Sequence, residues 1–264
     1  MTKRPNGIDT SVPHMSRVYD YWLGGKDNFE ADRRAAEAGY KAFPGVLQSV
    51  RANRAFLARL VRHLVTEAGI RQFLDVGSGL PTASNTHEIA QEKVPESRIV
   101  YVDNDPVAVM HARVMLQSSP EGRTDFCQAD ARDPAFILEK AAATLDFRKP
   151  VAVIMLGVLH YLHDEEQVAA ITAAFSAAVA AGSHLAISHL ASDIEPEVMA
   201  RYVAALAENG VPRSALRSRE QVAGLFAGLD LLAPGVVPVS RWRPDTDPEA
   251  SAVTTLWGGV ARKQ

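Results

Sequence analysis

The chain has 264 residues, room for one large domain or two small ones, with a core that needs no disulfide or structural metal. Lys and Arg total 28 against 31 Asp and Glu, a formal net charge of −3, which argues against a broad nucleic-acid-binding surface. At 47% hydrophobic and 22% charged the composition is globular, and the single cysteine, Cys127, excludes an intramolecular disulfide and a thiolate-rich zinc site.

The first residues, with Pro5 and Pro13, read as a loose polar arm. No apolar stretch follows Lys3-Arg4, so no secretory signal is expected. The longest apolar run, Val151 to Leu159, is about half of the roughly 20 residues that span a bilayer. A soluble cytoplasmic protein is expected, with no membrane or nucleic-acid partner.

From Ser16 to Phe43 the chain is dense in aromatics and charges, broken at Gly24-Gly25 and closed by Pro44-Gly45. Residues 1–45 form a helical N-terminal extension in this reading, and 46–264 the main domain. Val46, Val50, Asn53, Leu57, Leu60 and Leu64 then recur at helical spacing, and Gly69 stands where a helix C-cap belongs. Beyond it strands and helices alternate. Ile70–Val76 reads as a strand, Asn85–Lys93 as a helix, Arg98–Val102 as a strand and Pro106–Leu116 as a helix. Strands are expected at Thr124–Gln128 and Val151–Leu156, a helix at Glu165–Ala181, and a strand at Ser183–Ser188. Such alternation calls for a parallel sheet with helices on both faces. Near the end, Ser218 to Gln221 form a capping box opening a helix to Ala227. Leu231–Val239 and Val253–Ala261 read as strands, pairing antiparallel across a turn-rich loop at 244–248.

Four strand ends carry chemistry. Asp75-Val76-Gly77-Ser78-Gly79 is a strand entering Gly-x-Gly and then a helix. The first glycine permits the tight turn, and the second lets a ligand approach bare backbone. Asp103 ends the next strand, 26 residues after Gly77, where an α/β nucleotide site holds the ribose hydroxyls. Asp105 before Pro106 reads as a helix cap. A dinucleotide fold needs a third glycine, and that position is Thr82. An adenosyl ligand without phosphates does not need it. Asp130 after the third strand reads either as an acceptor for an adenine amino group or as part of a surface turn. The fourth strand ends in Leu156-Gly157-Val158-Leu159-His160-Tyr161, which brings His160 and Tyr161 to the ligand crevice. His160 is the candidate general base, set against an ordinary strand-end residue. The histidines form no metal-ligand pattern, and Cys127 in an apolar strand reads as buried.

Taken together these residues resemble class I S-adenosylmethionine-dependent methyltransferases. The four motifs appear in order: the glycine turn, Asp103, Asp130-Ala131, and Leu156 to His160. More narrowly the chain looks like a bacterial methyltransferase family of largely unassigned substrate. Its marks are Tyr19-Asp20-Tyr21-Trp22-Leu23-Gly24-Gly25-Lys26-Asp27-Asn28-Phe29, then Gly79-Leu80-Pro81-Thr82, Asn85-Thr86-His87-Glu88, and Trp257-Gly258-Gly259. The resemblance implies a Rossmann-like, seven-stranded sheet with its last strand antiparallel, and S-adenosylmethionine as cofactor. It implies that Gly77, Ser78 and Gly79 pass the methionine moiety, Asp103 the ribose, and Asp130 with Ala131 the adenine, with Leu156 at the same site. The residue after the ribose acid, often apolar and stacked on adenine in such enzymes, is polar Asn104 here. Tyr19, Tyr21, Lys26 and Tyr161 are candidate contacts for a small-molecule acceptor. The N-terminal segment reads as a mobile lid or as a fixed strut. Two other functions stand beside methyl transfer: a non-catalytic adenosyl-ligand sensor, and a nicotinamide-dependent oxidoreductase, against which Thr82 counts.

Overall fold

In the computed structural model, residues 9–81, 84–115, 117–246 and 253–264 are described. Most of the expected loose arm, Thr82, Leu116 and the end of the loop at 244–248 lie outside them.

Three helices come first: α1 (Met15–Trp22), α2 (Glu30–Ala42) and α3 (Val46–Thr66). The α3 stripe is buried as its spacing requires, and Gly69 adopts φ +69° just beyond the helix end. The alternating part then runs β1 (Gln72–Val76), α4 (Thr86–Lys93), β2 (Arg98–Asp103), α5 (Pro106–Met115), β3 (Arg123–Gln128), α6 (Pro134–Ala141) and β4 (Ala152–Leu156). It continues through α7 (Glu165–Ala178), β5 (His184–Leu190), α8 (Pro196–Glu208) and α9 (Arg219–Gly224) to β6 (Asp230–Leu231), β7 (Val237–Pro238) and β8 (Leu256–Arg262). Among the described residues no helix is long and apolar enough to cross a membrane.

The sheet order is β3-β2-β1-β4-β5-β8-β6, with β7 also paired to β8. The first five strands are mutually parallel and β8 runs antiparallel to β5. The expected mixed α/β sheet is therefore present, with eight strands instead of seven. The difference arises at 231–239, expected as one strand. A turn closed by Gly235 N–H on the Leu232 carbonyl, 2.7 Å, divides it into the two-residue β6 and β7, each antiparallel to β8. Two helices, α6 and α8, were not expected from the sequence.

Alternate strand residues feed two apolar layers. Phe73, Ile99, Tyr101 and Ile154 face α3 and the N-terminal helices. Leu74, Val100, Val153 and Ile187 face the other way, toward Ile137 of α6 and Phe175 of α7. Each large apolar side chain so buried contributes roughly 1.5–3 kcal/mol. Cys127 is free and buried, and burial raises its thiol. The chain leaves β1 for β2 and β3 on one side, then returns to place β4 on the other. That reversal opens a crevice at the carboxyl ends of β1 and β4.

Candidate functional site

The crevice is a cavity of about 450 Å3. At its base the backbone turns after β1. Gly77 N–H donates to the Val102 carbonyl at 2.7 Å, and Gly77 has φ +74°. A Cβ there would lie 2.7 Å from Val158 Cβ, so the turn and the end of β4 meet at a distance only glycine allows. Gly79 has φ +69° and no heavy atom within 4 Å of its missing side-chain position. Bare backbone thus faces open space there.

Asp103 points to this turn. Its Oδ2 accepts Gly79 N–H at 2.8 Å and its Oδ1 accepts Asp105 N–H at 2.9 Å. The residue is 7% exposed, and burial raises its carboxyl above the ordinary range. Among the described residues Asp75, inside β1, accepts only Thr86 Oγ1–H at 2.7 Å. Burial pushes it up to about 6 against the opposing hydrogen bond of Thr86 and the charge of Arg54. Two buried carboxylates therefore line the crevice at an electrostatic cost. An adenosyl ligand with a cationic amino-acid tail fits this set: hydroxyls for Asp103, positive charge near Asp75, and close approach over Gly79.

Opposite the sheet, the N-terminal segment closes the crevice. His14 Nδ1 lies 3.2 Å from Asp105 Oδ2, and Ser16 Oγ donates to the same oxygen at 2.6 Å. Buried Arg17 stands 3.5 Å from both Asp32 and Asp105. Asp20 organises the glycine loop that follows. It accepts Asp27 N–H at 3.0 Å and Asn28 Nδ2–H at 2.8 Å, and a Cβ at Gly25 would collide with its carboxylate. Trp22 packs 6.1 Å from Tyr202 of α8 and donates Nε1–H to the Ala36 carbonyl. Phe43 meets the same tyrosine edge-on at 5.8 Å. These rings form an apolar chamber beside the glycine turn.

His160 lines that chamber at the end of β4, 5% exposed, and its Nδ1 has no partner among the described residues. Burial lowers its pKa well below the ordinary value, and His189 and Arg217 lower it further. Arg217 is fully buried. It donates to Glu165 at 3.0 Å, to the Leu162 carbonyl at 3.0 Å and to His189 Nε2 at 2.6 Å. His189 Nε2 is thereby an acceptor, so Nδ1–H donates to the Leu190 carbonyl at 2.9 Å and this imidazole is neutral. Burial, not hydrogen bonding, keeps His160 neutral, which leaves one ring nitrogen a lone pair but makes it a weak base.

The cavity brings together Gly77, Ser78, Gly79, Asp103, Asn104, Asp130, Ala131 and Leu156. Tyr19, His160 and Tyr161 line it as well. Asn104 is exposed at the rim. Both carboxylate oxygens of Asp130 are engaged by Arg132, at 2.9 and 2.6 Å, which lowers its pKa. Tyr21 and Lys26, expected to meet the acceptor, are not among the lining residues. Tyr21 donates to Glu37 at 3.3 Å and packs against the apolar cluster of the N-terminal helices, and Lys26 is exposed on the loop that wraps Asp20. Sequence reasoning passed over Asp75, Asn53 and Arg54, all in the lining. Arg54 donates to the Ser84 carbonyl at 2.9 Å. For Asn53 and Asp75 a signal existed: each is a polar residue in an otherwise apolar, buried pattern.

A family model described as S-adenosyl methyltransferase matches residues 1–264. The chain is 40% identical to a DUF574 family protein from Streptomyces avermitilis, covering 97% of this chain and 99% of that one, with a TM-score of 0.93. It is 39% identical to a protein from Thermobifida fusca YX proposed to be a methyltransferase, covering 100% of both chains, with a TM-score of 0.90. A family 2 O-methyltransferase from Planctomyces limnophilus, 18% identical over 88% of this chain and 62% of that one, shares the fold at a TM-score of 0.51. No curated protein matches the chain. The non-catalytic and nicotinamide readings gain no support from these likenesses. The chain belongs to the S-adenosyl methyltransferase family, and it is an enzyme that transfers methyl groups from S-adenosylmethionine.

Proposed function

We propose that the protein methylates a small, largely apolar acceptor held beneath its N-terminal helices. The observation that carries this reading is one continuous cavity, from the bare turn at Gly79 to the rings of Trp22, Phe43, Tyr161 and Tyr202. On the donor side Gly77, Ser78 and Gly79 would carry the methionine portion, and Asp103 would accept the ribose hydroxyls. Asp130 and Ala131 would border the adenine, with Asn104 at the rim and Leu156 on the floor. Ionised Asp75 would be relieved of its desolvation cost by the donor's positive charge.

When bound, S-adenosylmethionine supplies a methyl group made electrophilic by its sulfonium. The chain's own part is to align the acceptor and keep water out, worth roughly 7–11 kcal/mol of barrier. Residues 1–45 would roof the site and 46–264 would build it. Tyr19 and Tyr161 would wall the acceptor side. Neutral His160 would accept a hydrogen bond from the acceptor and hold it in line. Tyr21 and Lys26 have no part in this arrangement.

Titration calorimetry with S-adenosylhomocysteine and with NADH tests the donor side. Binding of the first and none of the second is expected; the reverse would remove the reading. Labelled methyl transfer across small aromatic acceptors, peptides and nucleic acid tests the acceptor side. Transfer confined to macromolecules would overturn the small-molecule assignment.

A further inference from the structure

We propose that Asn53 and His160 form the acceptor-recognition pair, and that the acceptor is an uncharged aromatic molecule carrying an N–H or O–H donor. This rests on the methyl-transfer reading above and names its substrate class.

Both residues line the cavity from opposite elements, Asn53 from α3 and His160 from the segment after β4. Both come close to Gly157. A Cβ at Gly157 would lie 3.7 Å from His160 Cε1 and 3.8 Å from Asn53 Nδ2. Each residue holds a buried polar atom with no partner among the described residues, Oδ1 in Asn53 and Nδ1 in His160. The residues are 6% and 5% exposed. A buried polar atom left unpaired costs about 1–3 kcal/mol, so two in residues that line one cavity point to a ligand there.

The amide orientation of Asn53 follows from its neighbour. Tyr19 spends its hydroxyl proton on the Val50 carbonyl at 3.0 Å, so its oxygen accepts. The Asn53 atom 3.3 Å from that oxygen is therefore the donor Nδ2, and Oδ1 is left without a partner among the described residues. A carbonyl oxygen can only accept, so the ligand must bring a donor to it. An anionic acceptor would set its charge against that oxygen. A cationic one would meet the field of Arg217 behind His189, the field that also keeps His160 neutral. The walls around the pair are rings, from Tyr19, Trp22, Tyr161 and Tyr202, which suit a flat apolar body.

The test is calorimetry on the full chain saturated with S-adenosylhomocysteine. The probes are phenol and indole, their donor-free counterparts anisole and 1-methylindole, and the cation benzylamine. Phenol or indole should bind at least tenfold tighter than its counterpart. Asn53→Ala should abolish that preference while S-adenosylhomocysteine affinity stays within twofold. Tyr19→Phe removes the acceptor that orients the amide, so the preference should weaken while S-adenosylhomocysteine affinity again stays within twofold, a change that loss of packing at residue 53 would not produce. The proposal is overturned by equal binding of phenol and anisole together with indole and 1-methylindole, or by no binding of phenol or indole. Tighter binding of benzylamine also overturns it, as does a preference that persists in Asn53→Ala. A tenfold loss of S-adenosylhomocysteine affinity in Asn53→Ala would assign the residue to the donor instead. Failure of the wild-type chain to bind S-adenosylhomocysteine at all would strike the underlying donor reading.

Discussion

Asp103 and Asp75 lie on adjacent strands, yet they bear on the site differently. Asp103 binds two backbone N–H groups and stands ready for a third partner. Replacing it with Ala should weaken S-adenosylhomocysteine binding more than tenfold by calorimetry, with a cooperative thermal transition retained. Unchanged affinity would mean that the ribose lies elsewhere. Asp75 has one hydrogen bond and a carboxyl raised from 3.8 to about 6. Its folded-state value exceeds its unfolded one, so the protonated form stabilises the fold at low pH. That contribution is lost as pH rises from about 4 through about 6, at most about 3 kcal/mol in all. Asp75→Asn keeps an acceptor for Thr86 and should raise denaturation stability at pH 8 but not at pH 4, while weakening S-adenosylhomocysteine. A gain of equal size at both pH values would show that the charge is not the cause. The glycine turn and Asp103 were legible only as a pair: Gly-x-Gly alone fits many turns, and the acid ending the next strand, 26 residues on, narrows the reading. Asn53 was legible as an oddity only. It occupies a buried stripe position, and which atom it left unpaired depended on Tyr19, which comes from another helix.

Helices record the same division between local and distant causes. The α3 stripe, the Asn85–Glu88 capping box of α4 and the Ser218–Gln221 box of α9 are all local, and each helix starts within a residue of where its signal stands. Helix α6 had a local signal as well, Asp133 capping Phe136 N–H with Pro134 at the first position, but only eight residues follow it. Helix α8 begins after Glu195, whose φ of 49° no pattern of side chains announces. Its buried face, Met199, Tyr202, Val203 and Leu206, has meaning only against α1 and α2. That packing bears on the choice between lid and strut. Val18 is fully buried and Trp22 is 3% exposed, both in the apolar cluster that holds Val203 and Leu206. Trp22→Ala should therefore cost about 3–5 kcal/mol. At roughly 2–4 °C per kcal/mol the melting temperature should fall by about 10 °C, even with no ligand present. A fall in S-adenosylhomocysteine affinity with an unmoved melting temperature would instead identify a lid.

Across the whole molecule, one charged cluster ties the N-terminal extension to the carboxyl end of β2. Asp105 caps α5 through Val107 N–H, and its backbone orients Asp103. Burial alone would raise Asp105, but the hydrogen bond and charge of His14, with Ser16, hold it down to about 2. Burial alone would lower His14, yet Asp105 and Asp103 outweigh it and the repulsion of Arg17, so His14 is raised above 6.5. The imidazole has a second use. When neutral, its Nδ1 accepts Ser16 N–H at 3.3 Å and caps α1; when protonated, it donates toward Asp105. Asp105 loses its contribution as pH falls from about 4 through about 2, and His14 loses its own as pH rises from 6.5 through its raised value. The strap is thus tightest between about pH 4 and 6.5. Amide hydrogen exchange in α1, corrected for intrinsic rates, should be most protected near pH 5.5 and lose protection above neutrality. His14→Ala should remove that pH dependence while Ser16 and Arg17 still hold the helix. Protection of α1 that is flat from pH 5.5 to 8.5 in the wild type would mean that the ion pair with Asp105 does not govern the docking of the extension.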